Sequence, residues 1–314
     1  MALVLMLGTI NAFAATDTSY DRAVQNMLSM GFSQDAISDL PREEILKYEN
    51  RTLVSKNEKY IKITTQADGQ STVTESTENQ WLQEKDSIMA QEQEARAQAE
   101  TRLQGGMMTR SSNDDPASTS TSWLTLQTWI TSNGGLSYST SARYEWLTIP
   151  VWNLTDVFGI GYANAHTDYG TFYFVQKYDT YCPHSNYPNP TNGLGTKTFT
   201  EESYTSGLTA TNGVSKRIGM PTKNFMHTDG VNYPRPAVVY DYTSNWRGYM
   251  STNIINDNSQ NTVISNVATY DHQKLIISLS PSISFDITGA MGLSGAFTFS
   301  TTYDKVAVGK NRYL

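Results

Sequence analysis

The chain has 314 residues, of which 38% are hydrophobic and 17% are charged, and its formal net charge is −7. This composition excludes a bundle of transmembrane helices and a charge-driven disordered chain. The acidic balance, without any dense run of Lys and Arg, argues against a nucleic acid partner. The 19 tyrosines and six tryptophans supply enough aromatic side chains for a large folded core.

An apolar stretch at the N-terminus, from Ala2 onwards, ends in the small-x-small sequence Ala12-Phe13-Ala14. Such an ending is typical of a signal peptidase site, and the stretch is too short to cross a bilayer as a helix. We therefore predict a signal peptide over residues 1–14, cleaved after Ala14 or Ala15, and a secreted or extracellular protein. The missing basic residues before the apolar stretch indicate that the natural start lies further upstream.

Cysteine usage agrees with export. Cys182 is the only cysteine, so the chain cannot form an internal disulfide. A large core can dispense with disulfides, which small oxidised secreted domains need. An exported protein that is poor in cysteine and rich in core residues is typical of a Gram-positive bacterium.

Residues 15–50 are predicted to form a small helical segment. Apolar side chains recur at helical spacing up to Phe32, Gly31 ends the first helix, and Ser33 and Pro41 begin two more. The segment reads Met27-Leu28-Ser29-Met30-Gly31-Phe32-Ser33, followed by Ile37 and Leu40-Pro41. It resembles a segment of uncharacterised secreted proteins of clostridial-type Gram-positive bacteria, and the resemblance implies an exported bacterial protein.

Residues 51–104 form a polar region in which the pattern predicts a long helix from Glu78 to Leu103. Trp81, Ile88 and Ala95 lie seven residues apart, but the second apolar position of each heptad is missing. The helix is either a weak oligomerising stalk or a solvated helix that leans on the main domain through Trp81 and Ile88. The missing half of the heptad favours the second interpretation. Residues 105–121, rich in Gly, Ser and Thr, are predicted to be a linker.

Residues 122–314 are predicted to form an antiparallel β-sandwich. Two alternating runs flank Asn133-Gly134-Gly135, which is a strong hairpin signal. Further strands are predicted at residues 158–165, 171–178, 237–242, 247–255, 263–270, 274–280, 283–288 and 295–303. The predicted fold class is therefore mainly β, with a small α-helical N-terminal region and a polar connecting helix. The strands of a closed barrel show the same alternation, so the sequence favours a sandwich and leaves a barrel as the alternative.

A long connection over residues 179–236 interrupts the strand pattern. It contains Asn-Tyr-Pro-x-Pro twice, at Asn186-Tyr187 and at Asn232-Tyr233, with Arg235 in the second copy. Prolines stiffen a loop, and a stiff loop that presents Tyr and Asn suits stacking on sugar rings and hydrogen bonding to their hydroxyls. We predict that these five residues bind a ligand, with a cell-wall glycan, a host glycan or a surface protein as partner. The alternative is that both tyrosines anchor the loops against the sandwich.

The sequence His-Thr-Asp occurs twice, at His166 to Asp168 and at His227 to Asp229. On a strand, residues i and i+2 share a face, so each pair could offer an imidazole and a carboxylate to a metal ion. His166, Asp168, His227 and Asp229 are therefore candidate metal ligands. No HExxH or CxxC spacing accompanies them, and no cofactor is expected.

The function predicted from these features is that of an exported, non-catalytic binding module. A membrane-active β protein is the first alternative, because the C-terminal strands alternate apolar with polar residues, although they look too short to span a membrane. A secreted hydrolase is the second alternative, but the sequence has no Gly-x-Ser-x-Gly and no paired carboxylates.

Overall fold

The structure is a computed structural model that describes residues 18–65, 71–105, 120–148, 155–182, 195–205, 207–219, 224–228, 238–257, 264–273, 285–286, 296–297 and 303–310. The predicted signal peptide lies outside the described residues. The chain divides into two compact units, Met1–Arg51 and Thr52–Leu314.

The first unit is helical, as predicted, with α1 at Thr18–Ser29, α2 at Gln34–Ser38 and α3 at Arg42–Leu46. Gly31, with a φ of 83°, lets the chain turn after α1, and Ser33 caps α2 by accepting a hydrogen bond from the Ala36 amide at 3.1 Å. Phe32 and Tyr48 pack edge to face with ring centroids 5.4 Å apart. The local signals in the sequence therefore place these short helices correctly.

The second unit consists of strands and one long helix. In chain order these elements are β1 Thr52–Thr65, β2 Ser71–Ser76, α4 Glu78–Gly105, β3 Ser120–Gly134, β4 Ser137–Trp146, β5 Thr155–Ala163, β6 Ala165–Thr167, β7 Tyr173–Cys182, β8 Gly195–Ser203, β9 Leu208–Ala210, β10 Gly213–Gly219, β11 Asn224–Thr228, β12 Val238–Asn256, β13 Ser265–Gln273, β14 Phe285–Asp286, β15 Ala296–Phe297 and β16 Tyr303–Lys310.

Two antiparallel sheets form a sandwich, which confirms the predicted fold class. The larger sheet has the order β2-β1-β3-β4-β12-β7-β8, and β6 and β11 also pair with β12. The smaller sheet has the order β16-β13-β5-β10-β9, and β14 pairs with β15 separately. Alternate residues of both sheets point inwards into one core, as in other sandwiches. The largest side chains in that core include Tyr144, Trp146, Phe158, Trp246 and Tyr270, all fully buried.

The predicted hairpin at Asn133 is confirmed. β3 pairs with β4 from Leu124 opposite Trp146 down to Gly134 opposite Ser137. Gly134 and Gly135 have φ values of 99° and 61°, which side chains other than glycine rarely adopt. The two glycines therefore supply the left-handed backbone that the turn requires.

The sheet begins earlier than residue 122. β1 pairs with β3 over its whole length, and Ser120 and Thr121, predicted as linker, already belong to β3. β1 gives little periodic signal, because it carries three lysines and one glutamate and buries few apolar side chains, notably Ile61 and Ile63.

The connection over residues 179–236 also contains strands, β8 to β11, that the sequence pattern does not predict. These strands are short or carry few apolar residues, so they give little periodic signal. Conversely, β12 is one strand where two were predicted. A bulge between Ser244 and Arg247, with Asn245 at a φ of 53°, interrupts its alternation without ending it. The predicted strand at 274–280 lies outside the described residues.

Helix α4 leans on the larger sheet, as the second interpretation of its sequence predicted. Trp81 packs against Tyr60 and Trp123, with ring centroids 5.8 and 6.5 Å apart, and Ile88 lies against the same cluster. Lys85 donates to the Glu145 carboxylate at 3.1 Å. Among the described residues, no helix combines the length and the apolar content needed to cross a bilayer.

Candidate binding site

The five predicted ligand-binding residues, Asn186, Tyr187, Asn232, Tyr233 and Arg235, lie outside the described residues. The strands on either side of them are described. β7 pairs with β8 at Cys182 opposite Gly195, and β11 pairs with β12 at Thr228 opposite Val238. Because β7 also pairs with β12, both connections leave the larger sheet at the same end.

The predicted metal ligands fall in two places. His166 lies on β6, and its Nδ1 is 2.5 Å from an Asp257 carboxylate oxygen, while Asp168 directly follows β6. His227 belongs to β11, and Asp229 lies outside the described residues. Within the described ranges, no group of three or more His, Cys, Asp and Glu side chains is placed to hold a metal ion.

A different constellation lies on the inner face of β7 and β8, at the edge of the larger sheet. Every second cross-strand pair faces the same way, which gives three pairs on this face: Phe174 with Ser203, Gln176 with Glu201, and Tyr178 with Phe199. We call these six residues the β7–β8 ledge. Phe174 belongs to the core, so this is the face that a sandwich normally buries.

The outer part of the ledge is open to solvent. Phe199 is 38% exposed and Glu201 is exposed, whereas Phe174 is fully buried. An inward-facing aromatic ring and carboxylate are thus presented to solvent at the side of the sandwich. The sequence shows this only as Phe199 and Glu201 standing two residues apart, a spacing that places both on one face of a strand.

The aromatic part of the ledge is a stacked pair. The rings of Tyr178 and Phe199 lie nearly parallel, at 12°, with centroids 5.1 Å apart. Burial, together with the nearby Glu201 charge, raises the pKa of the Tyr178 hydroxyl. The hydroxyl therefore stays protonated at neutral pH and can both donate and accept a hydrogen bond.

The polar part of the ledge is held in one orientation from inside the core. Gln176 Oε1 accepts from the Trp246 indole N–H at 3.3 Å and from the Tyr144 hydroxyl at 3.4 Å. With the amide oxygen fixed inwards, Gln176 Nε2 donates to a Glu201 carboxylate oxygen at 2.5 Å. Gln176 thereby positions the Glu201 carboxylate through a hydrogen bond to a charged acceptor.

This contact between Tyr144 and Gln176 requires a glycine on β12, the strand between β4 and β7. Gly248 on β12 lies opposite both Tyr144 and Gln176. A Cβ atom at Gly248 would come within 2.4 Å of Tyr144 Cε1. The missing side chain lets the Tyr144 ring cross β12 and reach Gln176.

The smaller sheet contributes a cation. Lys216 on β10 donates from Nζ to Ser203 Oγ at 2.9 Å, and its Nζ lies 5.9 Å from the centre of the Phe174 ring. The ledge and Lys216 together present a stacked aromatic pair, a carboxylate, a hydroxyl and an ammonium group, whereas the Gln176 amide is buried. Such a set can contact an apolar surface and can accept and donate hydrogen bonds beside it.

A second polar cluster is sealed inside the sandwich. Asp156 accepts from the Tyr270 hydroxyl at 2.6 Å, and both of its carboxylate oxygens lie 3.1 Å from His272 Nδ1. All three residues are at most 2% exposed. A ligand cannot reach them in this conformation, so they serve the packing of β5 against β13.

Comparison with known proteins does not place the chain in a family. No protein-family model matches it, and no protein of curated function matches it. Among solved structures, it is similar to Clostridium perfringens delta-toxin, with 7% sequence identity over 48% of this chain and 74% of that chain. The TM-score is 0.22, which is too low to carry an argument about fold or function.

Proposed function

We propose that this protein is an exported, non-catalytic β-sandwich module that binds a glycan at a cell surface, and that the β7–β8 ledge is part of its binding face. One observation supports the proposal most directly. The Tyr178–Phe199 stack is open to solvent on a face that a sandwich normally buries, and it lies beside the Glu201 carboxylate. Export is proposed from the N-terminal sequence.

The chemistry of the ledge suits a sugar better than a purely apolar ligand. A sugar ring has an apolar C–H face bordered by hydroxyl groups that donate and accept hydrogen bonds. Tyr178 and Phe199 offer a flat apolar surface, Glu201 offers an acceptor next to it, and Lys216 offers a donor beside Ser203 at the other end of the ledge. Both rings are stiffened by their mutual contact, which reduces the entropy lost on binding.

The test is co-sedimentation of the chain with purified bacterial cell wall. Phe199→Ala is expected to reduce the retained fraction at least tenfold, since it removes the exposed ring of the stack. Tyr204→Ala is the matched control, because Tyr204 is 67% exposed and lies outside the ledge. Equal retention of the wild-type chain and Phe199→Ala would contradict the proposal.

The same experiment addresses the loop residues and the other functions. A Tyr187→Ala, Tyr233→Ala double variant is expected to lose retention if the two loops extend the binding face. Retention on liposomes instead of cell wall would favour a membrane-active protein. Release of soluble sugar from the wall would favour a hydrolase.

A further inference from the structure

We infer that the β7–β8 ledge recognises an uncharged N-acetylated amino sugar, through the acetamido group of that sugar. The inference rests on the proposed glycan binding and names the ligand class for the same site. It follows from the order of three groups: the apolar contact Phe199 and the acceptor Glu201 on β8, and then the donor Lys216 of β10, which is bonded to Ser203 of β8.

The acceptor is Glu201. The carboxylate is exposed, and the bond from Gln176 reaches one of its oxygens. A carboxylate offers about four acceptor positions, so Glu201 can accept a further N–H or O–H from a ligand. The bond from Gln176 holds the carboxylate beside the aromatic stack, so this acceptor is positioned before a ligand arrives.

The donor is Lys216. Its ammonium group has three N–H bonds and donates to Ser203 on the same face of β8. Lys216 is half-buried between the sheets, where its contact with the Phe174 ring limits its freedom. A ligand carbonyl oxygen could therefore accept from an ammonium group that already has a defined place.

The spacing matches a secondary amide. Phe199, Glu201 and Ser203 follow one another at every second residue of β8, about 7 Å apart. In a trans amide the N–H and the C=O point in opposite directions. One acetamido group lying between Glu201 and Lys216 can donate to the carboxylate and accept from the ammonium, while the sugar ring stacks on Phe199.

The charges of Glu201 and Lys216 further restrict the class of sugar that fits. A negatively charged sugar would be repelled by Glu201, and an amino sugar without its acetyl group would lack the carbonyl oxygen that accepts from Lys216. An N-acetylated sugar carries no charge and satisfies both groups with hydrogen bonds. Hydrogen bonds to charged groups are the stronger class and discriminate sharply against a ligand that lacks the partner atom.

The test compares three soluble tetramers with the same β-1,4 linkage by isothermal titration calorimetry: N-acetylglucosamine, glucosamine and glucose. The N-acetylglucosamine tetramer is expected to bind at least tenfold more tightly than the other two. Glu201→Gln and Lys216→Met are each expected to reduce that preference at least fivefold. Glu202→Gln is the matched control, since Glu202 is exposed on the opposite face of the same strand.

The outcomes separate this inference from the proposed function. Equal binding of the glucose tetramer, or tighter binding of the glucosamine tetramer, would overturn the inference. So would absence of binding to all three tetramers if cell-wall retention still depends on Phe199. If cell-wall retention does not depend on Phe199, the proposed binding face itself fails and the inference fails with it.

Discussion

Single residues decide how the ledge is supported, and Gly248 is the clearest case. Gly248→Ala would drive a Cβ into the Tyr144 ring and separate the Tyr144 hydroxyl from Gln176. We expect the variant to lose about 1–3 kcal/mol of unfolding free energy in urea, as overpacked cores do. Gly219→Ala is the control, because a Cβ at Gly219 meets nothing within 4 Å. Equal stability of the two variants would show that Tyr144 does not need the space left by the missing side chain of Gly248.

A second effect at the scale of one residue concerns pH. Burial, reinforced by the Asp156 charge and only partly offset by Lys305, raises the pKa of Asp271 to about 8. The folded pKa lies above the unfolded value of about 4, so protonated Asp271 favours the folded state. This stabilisation is fully present below pH 4 and is lost as the pH rises towards 8 and the carboxyl ionises.

Asp271→Asn is therefore expected to flatten the decline in stability between pH 5 and pH 8. The difference in urea unfolding free energy between these two pH values should shrink by about 1 kcal/mol or more. Asp86→Asn, at an exposed position on α4, should leave the decline unchanged. A decline of the same size in Asp271→Asn would refute the assignment of the pH dependence to Asp271.

Among the elements, α4 depends on one aromatic anchor. Trp81 is 4% exposed between Tyr60 and Trp123, whereas the next residue, Leu82, is 49% exposed. We expect Trp81→Ala to cost about 3 kcal/mol and to make α4 sensitive to brief proteolysis, since the apolar contact that holds it is lost. Leu82→Ala should do neither. Equal protease resistance of both variants would mean that other contacts hold the helix.

The charged contacts of α4 act with that anchor. Burial by itself would raise the pKa of Glu145, but Arg143 and Lys85 outweigh it and lower the pKa to about 2. The folded pKa lies below the unfolded value, so the stabilisation is present at neutral pH and is lost as the pH falls towards 2. Lys85 thus links the helix to a carboxylate that stays ionised under ordinary conditions.

In the molecule as a whole, the two sheets are joined by a buried amide as well as by apolar packing. Asn266 on β13 donates to Thr128 Oγ1 at 2.6 Å and to Thr140 Oγ1 at 2.7 Å, across the sandwich. Asn266→Ala should cost about 2–4 kcal/mol in urea unfolding, because both hydroxyls lose a buried partner and a cavity remains. Asn133→Ala, at the exposed β3–β4 hairpin, should cost about 1 kcal/mol at most. Similar costs would show that the cross-sheet contact is not structural.

The sequence by itself determined the features that depend on neighbouring residues. The caps and stops around Gly31 and Ser33, the hairpin at Asn133, and the alternation that makes the chain mainly β are all local, and the structure confirms them. Trp81 and Ile88 were also identified as the contacts of α4, because a single apolar position per heptad leaves only a narrow stripe to bury.

Tertiary structure alone decided the rest. β1 and β8 are strands because they pair with β3 and β7, and their own side chains are too polar to indicate it. Glu201 and Glu202 look alike in the sequence, yet pairing places one on the ledge and the other on the opposite face. The ledge and Lys216 come together because Gln176, Glu201 and Lys216, up to 40 residues apart in the chain, meet at one edge of the sandwich. The spacing of these residues in the sequence does not predict that they meet.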